Sequence, residues 1–140
     1  MKVLIIDDDQ SFATVVTTAL EKAGFQTVSA ATAEEGLNKA KAELPNIILC
    51  DQILPDISGN KIVEQLKAED ATKNIPILLL SNFSQQELVT GAIQAGATDY
   101  VFKYQVEPQD IINKINEVLK TNQPVGGPSS NTDQTGQQQS

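Results

Sequence analysis

The sequence predicts an α/β fold: a doubly wound, five-stranded parallel sheet in the order 2-1-3-4-5, with helices on both faces. Two hydrophobic periods alternate along residues 1–120, short apolar runs of strand length and longer stretches with apolar residues every three or four positions. Three of the short runs (3–6, 47–50 and 77–80) are apolar at every position, so helices must cover both faces of these strands. Right-handed crossovers leave few topologies for five successive β-α units, and this order is the favoured one.

The first β-α unit begins with a buried strand over residues 2–7 and continues into an amphipathic helix. The apolar positions of this helix are Phe12, Val15, Val16, Ala19, Leu20 and Ala23. Asp9 stands at the start of the helix, where a carboxylate can accept hydrogen bonds from free backbone N–H groups. Gly24 follows the helix and suits a left-handed cap.

The second unit is a strand over residues 25–30 and a helix opened by a capping box. In the sequence Thr32-Ala-Glu-Glu35, the threonine hydroxyl and the glutamate carboxylate can each satisfy a backbone N–H group at the helix start. Pro45 ends the helix, because proline cannot continue it. The residues expected to face the sheet are Leu37, Ala40 and Leu44.

The third unit has a strand over residues 46–50 and a loop from Asp51 to Ser58 before its helix. This helix is expected to face the core with Ile62, Val63 and Leu66. The fourth strand covers residues 75–80 and ends at Ser81. Both strands are too apolar to lie at an exposed edge of the sheet.

The last helices have start and stop signals of their own. A second capping box, Ser84-Gln-Gln-Glu87, begins the fourth helix, which Gly96 closes. Residues 98–102 form the fifth strand, and Pro108 suits the first turn of the final helix. The apolar positions of that helix are Ile111, Ile112, Ile115, Val118 and Leu119.

Residues 121–140 differ in kind from the rest of the chain. They are almost entirely Gly, Pro, Ser, Thr, Asn and Gln, and such a composition cannot bury enough apolar surface to order itself. We therefore expect one folded domain at residues 1–120 and a disordered polar tail at 121–140.

Charge and composition exclude several classes of function. The formal net charge of the 140-residue chain is −8 and it has no Arg, so the basic surface of a nucleic-acid-binding domain is missing. The N-terminal apolar run is too short for a signal peptide or a membrane span. The single cysteine, Cys50, cannot form an internal disulfide and suits a buried apolar position. We expect a cytoplasmic protein with neither nucleic acid nor membrane as a partner.

Polar side chains stand where the predicted strands end. Asp7 and Asp8 end the first strand, Asp51 follows the third, Ser81 the fourth and Lys103 the fifth. Each has an ordinary explanation on its own, such as a helix cap, a turn or a solvated charge. Together they lie at the sheet edge where such folds bind ligands, and carboxylates without His or Cys favour a hard cation such as Mg²⁺. A hydroxyl and an ammonium beside them suit the oxygens of a phosphoryl group.

The motifs resemble the receiver domain of two-component response regulators, particularly the short, chemotaxis-regulator-like type. The segments that carry the resemblance are IIDD, CDQILPDISG, LLLS and AGATDYVFK, in this order along residues 2–120. The resemblance implies a flavodoxin-like (βα)5 fold. It also implies that the protein is a signalling switch of a phosphorelay and not an enzyme.

The resemblance assigns Asp51 as the phosphoacceptor. It implies that Asp8 binds Mg²⁺ directly and that Asp51 is also part of the metal site. Asp7 would hold the ion through water, and Ile53 would contribute its backbone carbonyl. The donor would be a sensor histidine kinase or a phosphotransfer protein.

The resemblance also assigns the response to phosphorylation. Ser81 and Lys103 would bind the phosphoryl group, and Tyr100 would rotate inward as Ser81 moves. The surface of helix 4, strand 5 and helix 5 would then change its affinity for a downstream effector protein. The absence of Arg removes the usual charge partners of receiver dimers, so we expect a monomer.

Two departures from the family pattern and two alternatives remain at this point. Tyr104 follows the lysine where the family usually has proline, and Asn82 follows the serine where a smaller residue is usual. They leave open a receiver-shaped interaction module that does not use phosphate. Asp7-x-Asp9 also fits a haloacid-dehalogenase-like phosphatase, with Asp7 as the nucleophile. Apolar side chains near the acceptor, Ile53 among them, lead us to expect slow loss of a phosphoryl group.

Overall fold

The computed structural model describes residues 1–82, 86–103 and 106–121. Within these residues, five strands alternate with five helices. They are β1 (Lys2–Ile6), α1 (Gln10–Lys22), β2 (Gln26–Ala30), α2 (Ala33–Glu43), β3 (Ile47–Asp51), α3 (Gly59–Lys67), β4 (Ile77–Ser81), α4 (Gln86–Ala95), β5 (Asp99–Phe102) and α5 (Pro108–Thr121).

The strands form one parallel sheet in the order β2-β1-β3-β4-β5. The predicted fold class and strand order are therefore confirmed. The three predicted apolar strands are the three central ones, β1, β3 and β4, because only central strands are covered on both faces.

Alternate residues of each central strand enter two separate cores. One core lies between the sheet and α2, α3 and α4, and it contains Leu4, Ile48 and Leu79. The other lies under α1 and α5, and it contains Ile5 and Leu80. Cys50 is fully buried in the first core, as expected for a small apolar residue.

The predicted capping residues act as caps. The Asp9 carboxylate accepts a hydrogen bond from the N–H of Phe12 at 3.1 Å and so starts α1. The Thr32 hydroxyl accepts from the N–H of Glu35 at 3.2 Å, while the Glu35 carboxylate accepts from the N–H of Ala31 at 2.9 Å. Gly24 follows α1 with a φ of 98°. These local signals fix where α1 and α2 begin and where α1 ends.

Three predicted core positions are wrong. Ala23 is exposed, because it is the C-cap of α1 and lies beyond its last turn. Val15 is 54% exposed, and the smaller Ala13 is buried in its place. Leu44 is 55% exposed because it is the C-cap of α2, in the left-handed conformation with a φ of 45°. Pro45 forces α2 to end before Leu44 can reach the core side of the helix.

Several predicted features lie outside the described residues, and several predicted helix and strand ends differ from the observed ones by one or two positions. The predicted cap at Ser84, the position of Tyr104 and the tail at 122–140 are outside them. The last helix continues to Thr121. Within the part of the chain that the structure describes, no helix combines the length and the apolar composition needed to span a bilayer.

Candidate functional site

The polar side chains predicted at the strand ends meet at one edge of the sheet. Asp7 directly follows β1, Asp51 is the last residue of β3, Ser81 is the last residue of β4, and Lys103 follows β5. Parallel pairing brings all these ends to the same side. Carboxylate oxygens of Asp7, Asp8 and Asp51 lie within 4.8 Å of one another.

Lys103 supplies the positive charge in this acidic cluster. Its ammonium lies 2.7 Å from Oδ2 of Asp7 and 3.6 Å from Oδ1 of Asp51. Burial of the ammonium would lower its pKa. The bond to Asp7 and the charges of Asp51 and Asp7 outweigh burial, so the pKa of Lys103 is raised. Lys103 is therefore held as a cation between two carboxylates.

Both carboxylate oxygens of Asp7 contact other groups of the protein. The Oδ1 atom accepts a hydrogen bond from the N–H of Asp9 at 2.9 Å. The Oδ2 atom forms the 2.7 Å ion pair with the Lys103 ammonium. The side chain is buried, with 1% exposure. Such an oxygen is poorly placed to attack a substrate, which weighs against Asp7 as the nucleophile of a phosphatase.

The surroundings of the Asp51 carboxylate disfavour its negative charge. Burial of its side chain and the nearby charge of Asp7 raise its pKa to about 6, although Lys103 and the N–H of Ile53 act in the opposite direction. A carboxylate in this state is stabilised by any further positive charge beside it.

A short closed loop connects Asp51 to α3. The N–H of Gln52 donates to the carbonyl of Leu80 at 2.8 Å, and the N–H of Gly59 donates to the carbonyl of Gln52 at 2.8 Å. Gly59 lies so close to β3 that a Cβ atom there would meet the Asp51 carbonyl oxygen at 2.7 Å. This crowding explains why the motif requires glycine at position 59.

The carboxylates line a cavity of about 300 Å³. The residues around it are Asp8, Asp9, Asp51, Ile53, Asn82 and Lys103. Its carboxylates stand without His or Cys, and oxygens of two of them, Asp8 and Asp51, lie within 4.8 Å of each other and of an oxygen of the buried Asp7. This donor set fits Mg²⁺, with Asp8 and Asp51 as candidate ligands, Asp7 behind them, and Ile53 lining the same cavity.

Ser81 and Tyr100 lie on neighbouring strands beyond this cavity. Ser81 is 1% exposed and pairs in register with Phe102 of β5. Tyr100 is 8% exposed, and its ring centroid is 5.5 Å from that of Phe102. Its hydroxyl has no hydrogen-bond partner among the described residues. The tyrosine side chain is thus buried in this structure.

Two residues near the site were not assigned to it from the sequence. Phe12 was assigned only to the core, yet its ring centroid lies 4.6 Å from the Lys103 ammonium. Asp56 was treated as part of the motif loop, yet its carboxylate binds the start of α2. Neither contact has a sequence signal, because each joins segments far apart in the chain.

Comparison with known families agrees with this site. Residues 3–116 match the family model described as the response regulator receiver domain. The chain belongs to this family. The match includes the acidic pair and Asp51 together, and the phosphatase interpretation left Asp51 without a role.

The curated relatives of this receiver domain are longer proteins. It is 30% identical over 129 residues to the alkaline phosphatase synthesis transcriptional regulatory protein PhoP of Bacillus subtilis, covering 92% of this chain and 52% of the relative. It is 29% identical over 124 residues to the phosphate regulon transcriptional regulatory protein PhoB of Escherichia coli, covering 89% of this chain and 54% of the relative. The chain spans about half the length of these relatives.

A solved structure of similar length matches nearly end to end. The CheY-like response regulator receiver domain protein of Methanospirillum hungatei superposes with a TM-score of 0.82 and 31% identity. The alignment covers 89% of this chain and 98% of that one. The predicted receiver-domain fold and two-component family are therefore confirmed.

Proposed function

We propose that this receiver domain is a phosphorylation switch and that Asp51 is its phosphoacceptor. The observation that carries the proposal is the position of this carboxylate. It ends β3 inside the acidic cavity, with the Asp7 and Asp8 carboxylates within 4.8 Å and the Lys103 ammonium at 3.6 Å. Its raised pKa reflects a negative charge that a cation would relieve.

Mg²⁺ would be held by Asp8 and Asp51, with Asp7 acting through water and Ile53 through its backbone carbonyl. When bound, the ion supplies positive charge that offsets the repulsion among the carboxylates and the negative charge of the incoming phosphoryl group. Asp7 also holds Lys103 in place through the 2.7 Å ion pair.

The reaction is a transfer between two side chains. An Asp51 carboxylate oxygen attacks the phosphorus of a phosphohistidine, a new P–O bond forms, and the P–N bond breaks. The imidazole nitrogen of the donor leaves with the electron pair of that bond. The donor is a sensor histidine kinase or a phosphotransfer protein, and the product is an acyl phosphate on Asp51.

The new group adds a charge of about −1.5 to −2 and changes which side chains the site attracts. Lys103 is close enough to move from its carboxylates to a phosphoryl oxygen, and Ser81 would donate its hydroxyl to another. Tyr100, already buried beside Phe102, would be the packing reporter of this change. The affected surface would be α4, β5 and α5, with a downstream effector protein as its partner.

The charge and composition support the remaining parts of the proposal. A net charge of −8 without Arg argues against direct contact with nucleic acid. We propose a monomeric, cytoplasmic switch that passes its state to another protein and does not turn over a substrate.

The test is phosphorylation by a small phosphodonor such as acetyl phosphate in the presence of Mg²⁺. Intact-mass spectrometry should show one added phosphoryl group on the wild type and none on Asp51→Ala. Omitting Mg²⁺ should also prevent the mass change. Phosphorylation of the Asp51→Ala variant to the wild-type extent would overturn the assignment.

A further inference from the structure

The tip of the loop between β3 and α3 is tied to a different helix. Asp56 is exposed at this tip, and both of its carboxylate oxygens accept hydrogen bonds from α2. Oδ1 accepts from the N–H of Ala33 at 2.9 Å, and Oδ2 accepts from the N–H of Glu34 at 3.0 Å. Donation from Ala33, together with that from Glu34, keeps the pKa of Asp56 below its ordinary value. The carboxylate is therefore charged and fully engaged at neutral pH.

This contact is additional to the cap that α2 already has. The Thr32 hydroxyl binds the N–H of Glu35, and the Thr32 carbonyl accepts from the N–H of Gly36 at 2.9 Å. Asp56 satisfies the two remaining N–H groups of the first turn, 22 and 23 residues away in sequence. A helix can be capped by its own residues, so what this pair of bonds adds is a link between α2 and the loop.

The start of α2 is a fixed point to which a loop can be tied. Ala33 is 1% exposed in the core. Gly36 lies against Ile6 of β1, where a Cβ atom would meet the isoleucine side chain at 2.5 Å. The helix therefore cannot shift toward the sheet, and hydrogen bonds to its first turn hold the loop in a fixed position relative to the sheet.

The loop that is tied in this way is the one that carries Ile53. Ile53 and Ser58 form a β-bridge across the loop, with Asp56 lying between them. Leu54 anchors the loop from inside, at 8% exposure, and Asp56 anchors it from outside. Ile53 lines the acidic cavity, and its position there depends on both anchors.

We propose that Asp56 is a positioning residue for the metal site, holding the loop on α2 so that the Ile53 carbonyl stays directed at the cation. The inference rests on the proposed function, because it concerns the Mg²⁺ site at Asp51. Asp56 itself touches neither the cation nor the phosphoryl group. It acts through the backbone of the loop, as groups behind the direct ligands do in other metal sites.

The experiment compares Mg²⁺ binding by Asp56→Ala with binding by two matched controls. Thr32→Ala removes a cap bond of the same helix turn and leaves the loop tied. Glu34→Gln removes one negative charge at the same helix start and leaves both Asp56 bonds. Affinity is measured by isothermal titration calorimetry with MgCl₂, and the Ile53 amide is followed by NMR in the same titration.

We expect Asp56→Ala to weaken Mg²⁺ binding about tenfold, as loss of an outer positioning group typically does. The Ile53 amide resonance should move in the Mg²⁺-free protein. Asp56→Asn should lie between the wild type and Asp56→Ala, since an amide oxygen can still accept one of the two bonds. Both controls should keep wild-type affinity within about twofold.

The outcomes separate this inference from the proposed function. If the wild type binds Mg²⁺ and Asp56→Ala binds it equally well, the positioning role is wrong while the metal site stands. If Asp56→Ala and Thr32→Ala lost Mg²⁺ affinity equally, the cause would be the general stability of α2. If Asp56→Ala and Glu34→Gln lost it equally, the cause would be charge. Either result would overturn the inference. If the wild type itself binds no Mg²⁺, the proposed function fails first.

Discussion

At the scale of single residues, the site is built around a carboxylate that is costly to ionise. The pKa of Asp51 is raised to about 6 by burial and by Asp7, above its unfolded value of about 3.9. The folded chain therefore holds the Asp51 proton to a higher pH than the unfolded chain does. The free energy of unfolding therefore falls as the pH rises from about 4 to about 6, and the full destabilisation is present at pH 7.

Asp51→Asn should therefore be more stable than the wild type at pH 7 without Mg²⁺. We expect a gain of about 1–2 kcal/mol in the free energy of unfolding, allowing for solvent screening at the open side of the cavity. Urea unfolding from pH 4 to pH 8 is the measurement. The gain should grow between about pH 4 and pH 6, level off above, and shrink when Mg²⁺ is added. Equal stability of the two proteins at pH 7 would contradict the strain assigned to Asp51.

Phe12 should stabilise the resting position of Lys103. The ammonium lies 4.6 Å from the ring centroid, and Lys103 as a whole is 8% exposed. A cation over an aromatic face contributes about 0.5–2 kcal/mol, the larger values when desolvated. A double-mutant cycle of Phe12→Leu and Lys103→Met, followed by urea unfolding, should give a coupling energy of about 1 kcal/mol. Strict additivity of the two substitutions would show that the ring only fills space.

Ile53 should slow the loss of the phosphoryl group from Asp51. Its side chain is 57% exposed and lines the cavity beside Asn82, where a polar group could instead orient a water molecule. We expect slow phosphoprotein decay in the wild type and several-fold faster decay in Ile53→Asn. Val15→Asn changes a similarly exposed apolar residue of α1 outside this cavity and should decay like the wild type. A wild-type lifetime of seconds would count against this expectation.

At the scale of elements, close packing of α3 on β3 fixes the loop that follows Asp51. Gly59 begins α3, and a Cβ atom there would meet the Asp51 carbonyl, the Leu79 side chain and the Cα of Gln52, all within 2.9 Å. Two of these three neighbours are backbone atoms, which cannot turn aside as a side chain can. The first turn of α3 therefore packs directly against the end of β3.

Gly59→Ala should consequently destabilise the domain by about 1–3 kcal/mol, the usual range for overpacking. Gly24→Ala is the comparison, since Gly24 has a φ of 98° but a Cβ atom there would meet no other atom within 4 Å. It should cost about 1 kcal/mol through backbone conformation alone. Urea unfolding gives both values. Only Gly59→Ala should also shift the Asp51 and Gln52 amide resonances. If Gly59→Ala destabilised the domain less than Gly24→Ala, the packing explanation would be contradicted.

At the scale of the whole molecule, the sequence predicts the sheet better than it predicts the helix surfaces. The apolar runs of β1, β3 and β4 determine which strands are central, and parallel pairing then brings Asp7, Asp51 and Lys103 to one edge. Periodicity alone placed Val15, Ala23 and Leu44 in the core, because it does not specify where the apolar stripe of a helix ends. The left-handed turn at Leu44 depends on Pro45 and on how α2 ends, which a spacing rule does not contain.

The limits of sequence-based prediction at the site have the same physical origin as those at the helix surfaces. Residue types at the strand ends were enough to predict the acidic cluster, because the topology dictates where strand ends go. The contacts of Asp56 with α2 and of Phe12 with Lys103 join segments more than 20 residues apart. They depend on the final packing of loops and helices, and no motif in the sequence marks them.

The last prediction concerns stabilisation of the whole fold by Mg²⁺. A ligand that binds only the folded state adds RT ln(1 + [L]/Kd), about 1.4 kcal/mol at ten times Kd. Thermal unfolding with and without MgCl₂ should show this increment in the wild type.

Asp8→Asn should abolish the Mg²⁺-dependent increment, since the exposed Asp8 carboxylate lies in the cluster with Asp7 and Asp51. Asp9→Asn should keep it, because the Asp9 carboxylate caps α1 and asparagine can replace that bond. Equal increments in wild type and Asp8→Asn would place the cation elsewhere on the molecule, and loss in Asp9→Asn alone would exchange the roles of the two neighbours.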